Sequence, residues 1–268
     1  MRYLSDGMFL KYVSFIYDKF GIHISQDKKD MLQSKILKLI VKNRIESYEE
    51  YFRLLTQVRD KETLLEFSSE ITVNKTDFFR ENNHFEYIKN NVNFIVDNNK
   101  RIIRNNEIRV WSAGCSTGEE PYTLGVILQE HFLQGTYIKI LATDLSTRVL
   151  KEAVTGVYSP AIKNNIDKYY LLKYFKKQGS EWKVNENLRR LVTFRLFNLM
   201  DDFPFKKSFD MIFCRNVMIY FDSKVQQKLI DKFYDVLVPG GLLFIGHSES
   251  LTGKKHKFQY LKPTIYMK

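Results

Sequence analysis

From residue 108 onward the chain alternates short apolar runs with helical stretches, and that alternation constrains the fold more than any other feature. The spacing predicts strands over 108–113, 138–142, 193–198, 209–214 and 242–246, with helices over 119–132, 147–153 and 224–237 among them. Such a pattern argues for a parallel sheet wrapped by helices on both faces. Val238-Pro239-Gly240-Gly241 reads as a tight turn before the fifth strand. The closing stretch 258–268 carries Pro263 inside a strand-like run, which suits a sheet edge. Between about 155 and 191 the pattern breaks into two aromatic-basic helical turns and a hairpin around Gly179-Ser180, an expected insertion.

The first 71 residues read as helices instead. Residues 8–20 are apolar at helical spacing and stop at Gly21. Ser25 or Asp27 is placed to cap a second helix reaching about residue 43. Ser47 caps a third, with Glu49 and Glu50 in a first turn where the helix dipole favours acids. Further helices are expected over 63–71 and 84–98, joined by the polar-aromatic segment 72–80. The organisation is then a helical domain over 1–71, a linker over 72–90 and an α/β domain over 91–268.

Composition excludes several classes. Hydrophobic residues make up 44% of the chain, yet no run approaches the ~18 apolar residues of a membrane span. The N-terminus does not read as a signal peptide, so a cytoplasmic protein is expected. Two cysteines, Cys115 and Cys214, make neither a disulfide framework nor a zinc site, and two reduced, partly buried thiols are expected. The 42 basic and 31 acidic residues leave +11, which predicts attraction to a polyanion: nucleic acid, an anionic membrane surface or an acidic protein.

In open parallel sheets ligands sit beyond the carboxyl ends of the strands. After the first strand comes Gly114-Cys115-Ser116-Thr117-Gly118-Glu119-Glu120-Pro121, a glycine-containing turn into a helix. It is not the G-x-G-x-x-G dinucleotide fingerprint. Two glutamates stand where a pyrophosphate would meet the helix N-terminus; they repel phosphate and tolerate a cationic ligand such as the ammonium and sulfonium of S-adenosylmethionine. After the second strand, Asp144 lies at the distance expected of a carboxylate that binds ribose hydroxyls, although it could simply cap the helix near Ser146. Asn198-Leu199, after the third, offers an amide and an apolar surface to an adenine ring, and a plain loop asparagine fits the spacing almost as well. After the fourth strand Arg215, Asn216 and Tyr220 cluster, which is unusual for a simple connection.

Together, NKTDFFR (74–80), VWSAGCSTGEEPYT (110–123), ATD (142–144), IFCRNVMIYF (212–221) and PGGLLFIGHSE (239–249) closely resemble the CheR family of chemoreceptor glutamate O-methyltransferases. The resemblance runs over essentially the whole chain. It implies a Rossmann-like class I methyltransferase sheet with helices on both faces, preceded by a small all-helical receptor-binding domain and carrying a small inserted subdomain. It also implies transfer of a methyl group from S-adenosylmethionine to glutamate carboxylates of chemoreceptors in chemotaxis adaptation, with no metal. Asn74, Thr76, Arg80, Glu120, Asp144, Asn198, Leu199, Arg215 and Asn216 match positions that contact the cofactor. Arg80 and Tyr220 match residues close to the transferred methyl, and 72–80 is implied to link the domains and fold over the cofactor. Residues 176–184 look shorter than in members that tether a receptor tail peptide, which speaks against such docking.

On the second helix Lys28, Lys35, Lys38 and Lys42 fall within one stripe at ~100° per residue, with Ile36, Leu37, Ile40 and Val41 opposite. Alone, that is a solvated face over a core; the resemblance makes it a docking surface for the acidic methylation region of membrane chemoreceptors. The basic charge and 15% aromatics also suit a nucleic-acid methyltransferase. Such enzymes, when they methylate base amines, usually show an Asn/Asp-Pro-Pro-aromatic run after the fourth strand. Here that place holds Cys214-Arg215-Asn216-Val217, so neither nucleic acid nor membrane insertion is expected.

Overall fold

Ser5 opens the first helix by accepting the Met8 N–H at 3.3 Å, and Gly21, at φ 70°, closes it. The computed structural model describes residues 3–57 and 61–268. Its helical part comprises α1 (Asp6–Phe20), α2 (Lys29–Lys42), α3 (Tyr48–Gln57) and α4 (Lys61–Ile71). Buried side chains recur every three to four residues, as Met8, Tyr12 and Ile16 do on α1 and Leu32, Ile36 and Ile40 on α2. They converge on Phe67, whose ring lies within 6.4 Å of those of Tyr12, Phe15, Phe20 and Tyr51. Truncating Phe67 to alanine would cost about 3–5 kcal/mol. The Glu50 N–H donates to Ser47 Oγ at 3.1 Å, as the capping pattern predicts.

Two details of α2 differ from the sequence expectation. A single turn of 3₁₀ helix, Gln26–Lys28, precedes it, so neither Ser25 nor Asp27 caps it; Ser25 instead accepts the Lys28 N–H through its carbonyl at 3.0 Å. Val41 is 62% exposed rather than core-facing, because the buried stripe runs through Leu39 and Ile40 and the next residue turns ~100° away.

After segment 72–80 come α5 (Asn83–Asn90), which lies within the expected linker, α6 (Val92–Asn98) and α7 (Arg101–Asn105). The single helix expected over 84–98 breaks at Asn91, at φ −128°. Its side-chain amide donates to the Tyr87 carbonyl at 2.7 Å, competing with the helix for that acceptor.

The α/β part follows: β1 (Glu107–Ala113), α8 (Glu119–His131), β2 (Tyr137–Asp144) and α9 (Thr147–Thr155). The insertion holds β3 (Val157–Tyr158), α10 (Lys168–Tyr174), β4 (Phe175–Gln178), β5 (Glu181–Val184) and α11 (Glu186–Arg189). Then come β6 (Val192–Leu196), β7 (Phe209–Cys214), α12 (Ser223–Val236), β8 (Leu237–Ile245), β9 (Gln259–Lys262) and β10 (Ile265–Met267). The main sheet has the order β6-β2-β1-β7-β8-β10-β9, and the insertion builds its own antiparallel sheet, β3-β5-β4. From β6 to β8 the strands are parallel, while β10 and β9 close the edge as an antiparallel hairpin. Connections leave β1 toward β2 on one side and β7 lies on the other, which creates the crevice at the strand ends.

Two turns are reassigned. Pro239-Gly240-Gly241 lies within β8 at an irregularity in its pairing with β7, not before the strand. Gly240, at φ 75°, passes so near α6 that a Cβ there would come within 2.0 Å of the Asn98 carbonyl. Pro263 sits with Thr264 in the turn between β9 and β10, where its missing N–H breaks no ladder bond. Both cysteines are fully rather than partly buried, and burial pushes each thiol well up.

Candidate active site

The turn after β1 is shaped by close approach. Gly114 has φ 94°, and a Cβ there would meet Val217 Cγ2 at 2.4 Å, so only glycine lets the segment after β7 come this near. Ser116 follows at φ 48°. Its N–H donates to Asp144 Oδ2 at 2.9 Å, and the Ser146 N–H donates to Asp144 Oδ1 at 2.9 Å. Asp144 is therefore 9% exposed, and burial raises its carboxyl against the pull of these N–H groups. Ser146, not Asp144, caps α9 by accepting the Val149 N–H; Asp144 accepts the Ser146 N–H ahead of that helix and also lines the cleft.

Only one of the two glutamates after the glycine turn faces the cleft. Glu119 turns back to accept from Thr117 Oγ1 at 2.7 Å, whereas Glu120 lines the cavity. Glu120 accepts from Ser112 Oγ at 2.6 Å and Arg215 Nη1 at 3.3 Å. Burial raises its carboxyl, and the Arg215 charge works in the opposite direction.

The segment after β7 is held by two acids that the sequence reading did not single out. Glu81 accepts from Arg215 Nη2 and Asn216 Nδ2, each at 3.1 Å. Glu249 accepts the backbone N–H groups of Asn216, Val217 and Ile219 at 3.0, 2.9 and 3.2 Å. The available signal was position alone: Glu81 directly follows NKTDFFR, and Glu249 ends PGGLLFIGHSE.

Segment 72–80 straps across the site. Ser116 Oγ donates to the Asn74 carbonyl at 2.8 Å, and Asn74 Nδ2 donates to Thr72 Oγ1 at 3.3 Å. Arg80 Nη1 donates to the Lys75 carbonyl at 2.8 Å, so its guanidinium closes its own loop rather than forming a structural ion pair. The helical domain contributes the opposite wall. The His23 N–H donates to the Tyr220 carbonyl at 2.9 Å, and Ile22 bridges Phe221. Asn198 Nδ2 donates to the Lys19 carbonyl at 2.8 Å, while its Oδ1 accepts the Met200 N–H at 3.1 Å. Burial raises the Tyr220 hydroxyl, and the nearby Arg80 charge opposes that rise.

The residues singled out in the sequence meet in one cleft that opens to solvent. Asn74, Thr76, Arg80, Glu120 and Asp144 line it, as do Asn198, Leu199, Arg215, Asn216 and Tyr220. Phe20 and Ile22 of the helical domain join them, which sequence reasoning missed. The lining suits S-adenosylmethionine on chemical grounds: a buried and a partly buried carboxylate for ammonium and hydroxyl groups, and an apolar wall with an amide for a purine.

The lysine stripe lies elsewhere, and only part of it is free to dock. Lys35 Nζ donates to the carbonyls of Ile71 and Thr72 at 3.1 and 3.2 Å, capping α4, and burial lowers its pKa. Lys38 pairs with Glu70 at 3.0 Å and Lys42 with Glu66 at 2.5 Å, each lysine side chain remaining 69% exposed. Among the described residues, one group offers metal-type donors, Glu81, His84 and His247, within 4.8 Å of one another. The Glu81 oxygens there already serve Arg215 and Asn216, and a cation would meet the guanidinium charge.

Residues 74–267 match the family model for the CheR methyltransferase SAM binding domain, and residues 8–72 match that for the CheR methyltransferase all-alpha domain. The chain belongs to the CheR methyltransferase family. A chemotaxis protein methyltransferase of Borreliella burgdorferi is 40% identical over 263 residues, covering 96% of this chain and 92% of that protein. The Escherichia coli chemotaxis protein methyltransferase is 33% identical over 270 residues, covering 98% and 91%. A probable one from Rhizobium etli is 34% identical over 258 residues, covering 94% and 96%. This CheR protein is an S-adenosylmethionine-dependent methyltransferase of class I fold. Among its described residues no helix is long and apolar enough to cross a membrane.

Proposed function

We propose that this CheR protein methylates glutamate side-chain carboxylates of chemoreceptors in the cytoplasm, forming methyl esters and S-adenosylhomocysteine in chemotaxis adaptation. The observation that carries the reading is the convergence of Arg80 and Tyr220 with the Glu120 and Asp144 carboxylates on one cleft. When bound, S-adenosylmethionine supplies the methyl group as an electrophilic sulfonium methyl. Glu120 and Asp144 hold its polar groups, with Asn74, Thr76, Arg215 and Asn216 around them and Asn198-Leu199 against the ring.

A glutamate acceptor, with an ordinary pKa near ~4.3, is already ionised at neutral pH, so no general base is required. What remains is to orient and partly desolvate the carboxylate. Arg80 supplies charge-assisted donors from the strap, and Tyr220 a single O–H donor from the segment after β7.

Receptor docking falls to the helical domain through Lys28, Lys38 and Lys42, while Lys35 is withdrawn to cap α4. Exposed ion pairs such as Lys38–Glu70 are individually worth about 0–1 kcal/mol, so exchanging their partners for receptor carboxylates costs little. The β4–β5 hairpin closes on Gly179-Ser180, and this reading gives it no tail-peptide role. Incubation with radiolabelled S-adenosylmethionine and receptor-rich membranes should leave label on receptors that mild base releases, as carboxyl esters do. Base-stable label would overturn the reading.

A further inference from the structure

We infer that Glu81 is a positioning residue of the methyl-transfer site, holding Arg215 and Asn216 at the cofactor cleft and, through Arg215, the backbone of Arg80. The inference rests on the reading of Arg215 and Asn216 as cofactor contacts. One carboxylate oxygen serves each: Oε2 accepts from Arg215 Nη2 at 3.1 Å and Nε at 3.4 Å, and Oε1 accepts from Asn216 Nδ2 at 3.1 Å. The Arg215 side chain is 2% exposed, so its charge must be matched by fixed partners. Glu81 and Glu120 provide the carboxylates, and the guanidinium carbon lies 5.3 Å from the centre of the Phe85 ring. Arg215 Nη2 also donates to the Arg80 carbonyl. The residue on the methyl side of the site is thus registered to the same guanidinium that faces the cofactor.

The backbone supports this assignment. Phe79, Glu81, Ser116 and Asn216 all have φ between 48° and 58°, and they are four of the seven non-glycine residues with positive φ among those described. Such conformations persist where surrounding contacts over-determine them, and here they gather around one cleft. The Glu81 bonds to Arg215 and Asn216 join two of these segments directly.

Glu81→Gln, Arg215→Gln and the double variant test the idea, with S-adenosylhomocysteine titrations by calorimetry and receptor methylation kinetics on proteins checked by thermal melting. Glu81→Gln should weaken S-adenosylhomocysteine binding about tenfold and lower kcat, while receptor KM stays within about twofold. Because Glu81 acts in part through Arg215, the double variant should lose less affinity than the two single losses combined. Glu81→Asp, which keeps the charge but shortens its reach toward Asn216, should also lose affinity, and it serves if Glu81→Gln does not fold. Wild-type affinity and kcat in a folded Glu81 variant, or additive losses in the double variant, would overturn the inference. Arg215→Gln binding as tightly as wild type would instead remove the underlying assignment of Arg215, and the inference with it.

Discussion

The Asp144 carboxylate accepts the Ser116 N–H at 2.9 Å and so ties the end of β2 to the turn that follows β1. The same carboxylate lines the cofactor cleft. The proposed ligand-binding role would therefore fall to the same two oxygens that hold the Ser116 and Ser146 N–H groups.

Asp144→Ala should weaken S-adenosylhomocysteine binding by about 1.5–3 kcal/mol, the worth of a hydrogen bond to a charged group. It should also lower the melting temperature, because the Ser116 and Ser146 N–H groups lose their acceptor. Asp144→Asn, which retains one oxygen, should melt between the two. Unchanged calorimetric affinity in a folded Asp144→Ala protein would refute the binding role.

Arg80→Ala should lower kcat about 10²–10³-fold, the scale for removing a donor aimed at a reacting oxygen in a desolvated site. Tyr220→Phe removes one neutral donor and should cost about tenfold. Turnover at saturating cofactor decides: an arginine variant with wild-type kcat would show that the strap merely closes the cleft.

The lysines of α2 should separate by role. Lys35→Ala should destabilise the helical domain by about 1–3 kcal/mol, since the Ile71 and Thr72 carbonyls at the end of α4 lose a charged donor. Lys38→Ala or Lys42→Ala should each cost under about 1 kcal/mol. Reversing both to glutamate should lower receptor kcat/KM, and raising salt should act on the wild type in the same direction. Cofactor affinity should survive in both cases. Normal receptor kcat/KM in the double reversal would make the stripe an ordinary solvated face.

His84 predicts an acid-sensitive fold. It is wholly buried, and burial, then the Arg215 charge, pushes its pKa down to about 3. Between pH 6.5 and 3 the unfolded chain takes up a proton that the folded imidazole refuses. The stability tied to the neutral ring is thus complete above the unfolded pKa and lost as pH falls, on the order of 4 kcal/mol by pH 3. Urea titrations at pH 7 and pH 4 should show a smaller drop for His84→Gln than for wild type. Equal drops would mean that other groups govern acid unfolding.

Much of this protein was determined by short stretches of sequence. The alternation after residue 108 specified the parallel sheet, because burial and strand length leave a local periodic trace. The turn at Gly114 and the segments ending in Arg80, Asp144 and Arg215 marked the cleft for the same reason: each is a contiguous run at a strand or loop end. Local context also misled. The stripe on α2 resembled a free cationic face, yet Lys35, Lys38 and Lys42 found acceptors on α4 about 30 residues away. Only tertiary structure decided those pairings, as it decided that Glu81 meets Arg215 across 134 residues and that His23 pins Tyr220 from the helical domain. A charge or amide acquires its partner through distance in space, and burial sets the strength of the interaction. Neither quantity is written in the spacing of neighbouring residues.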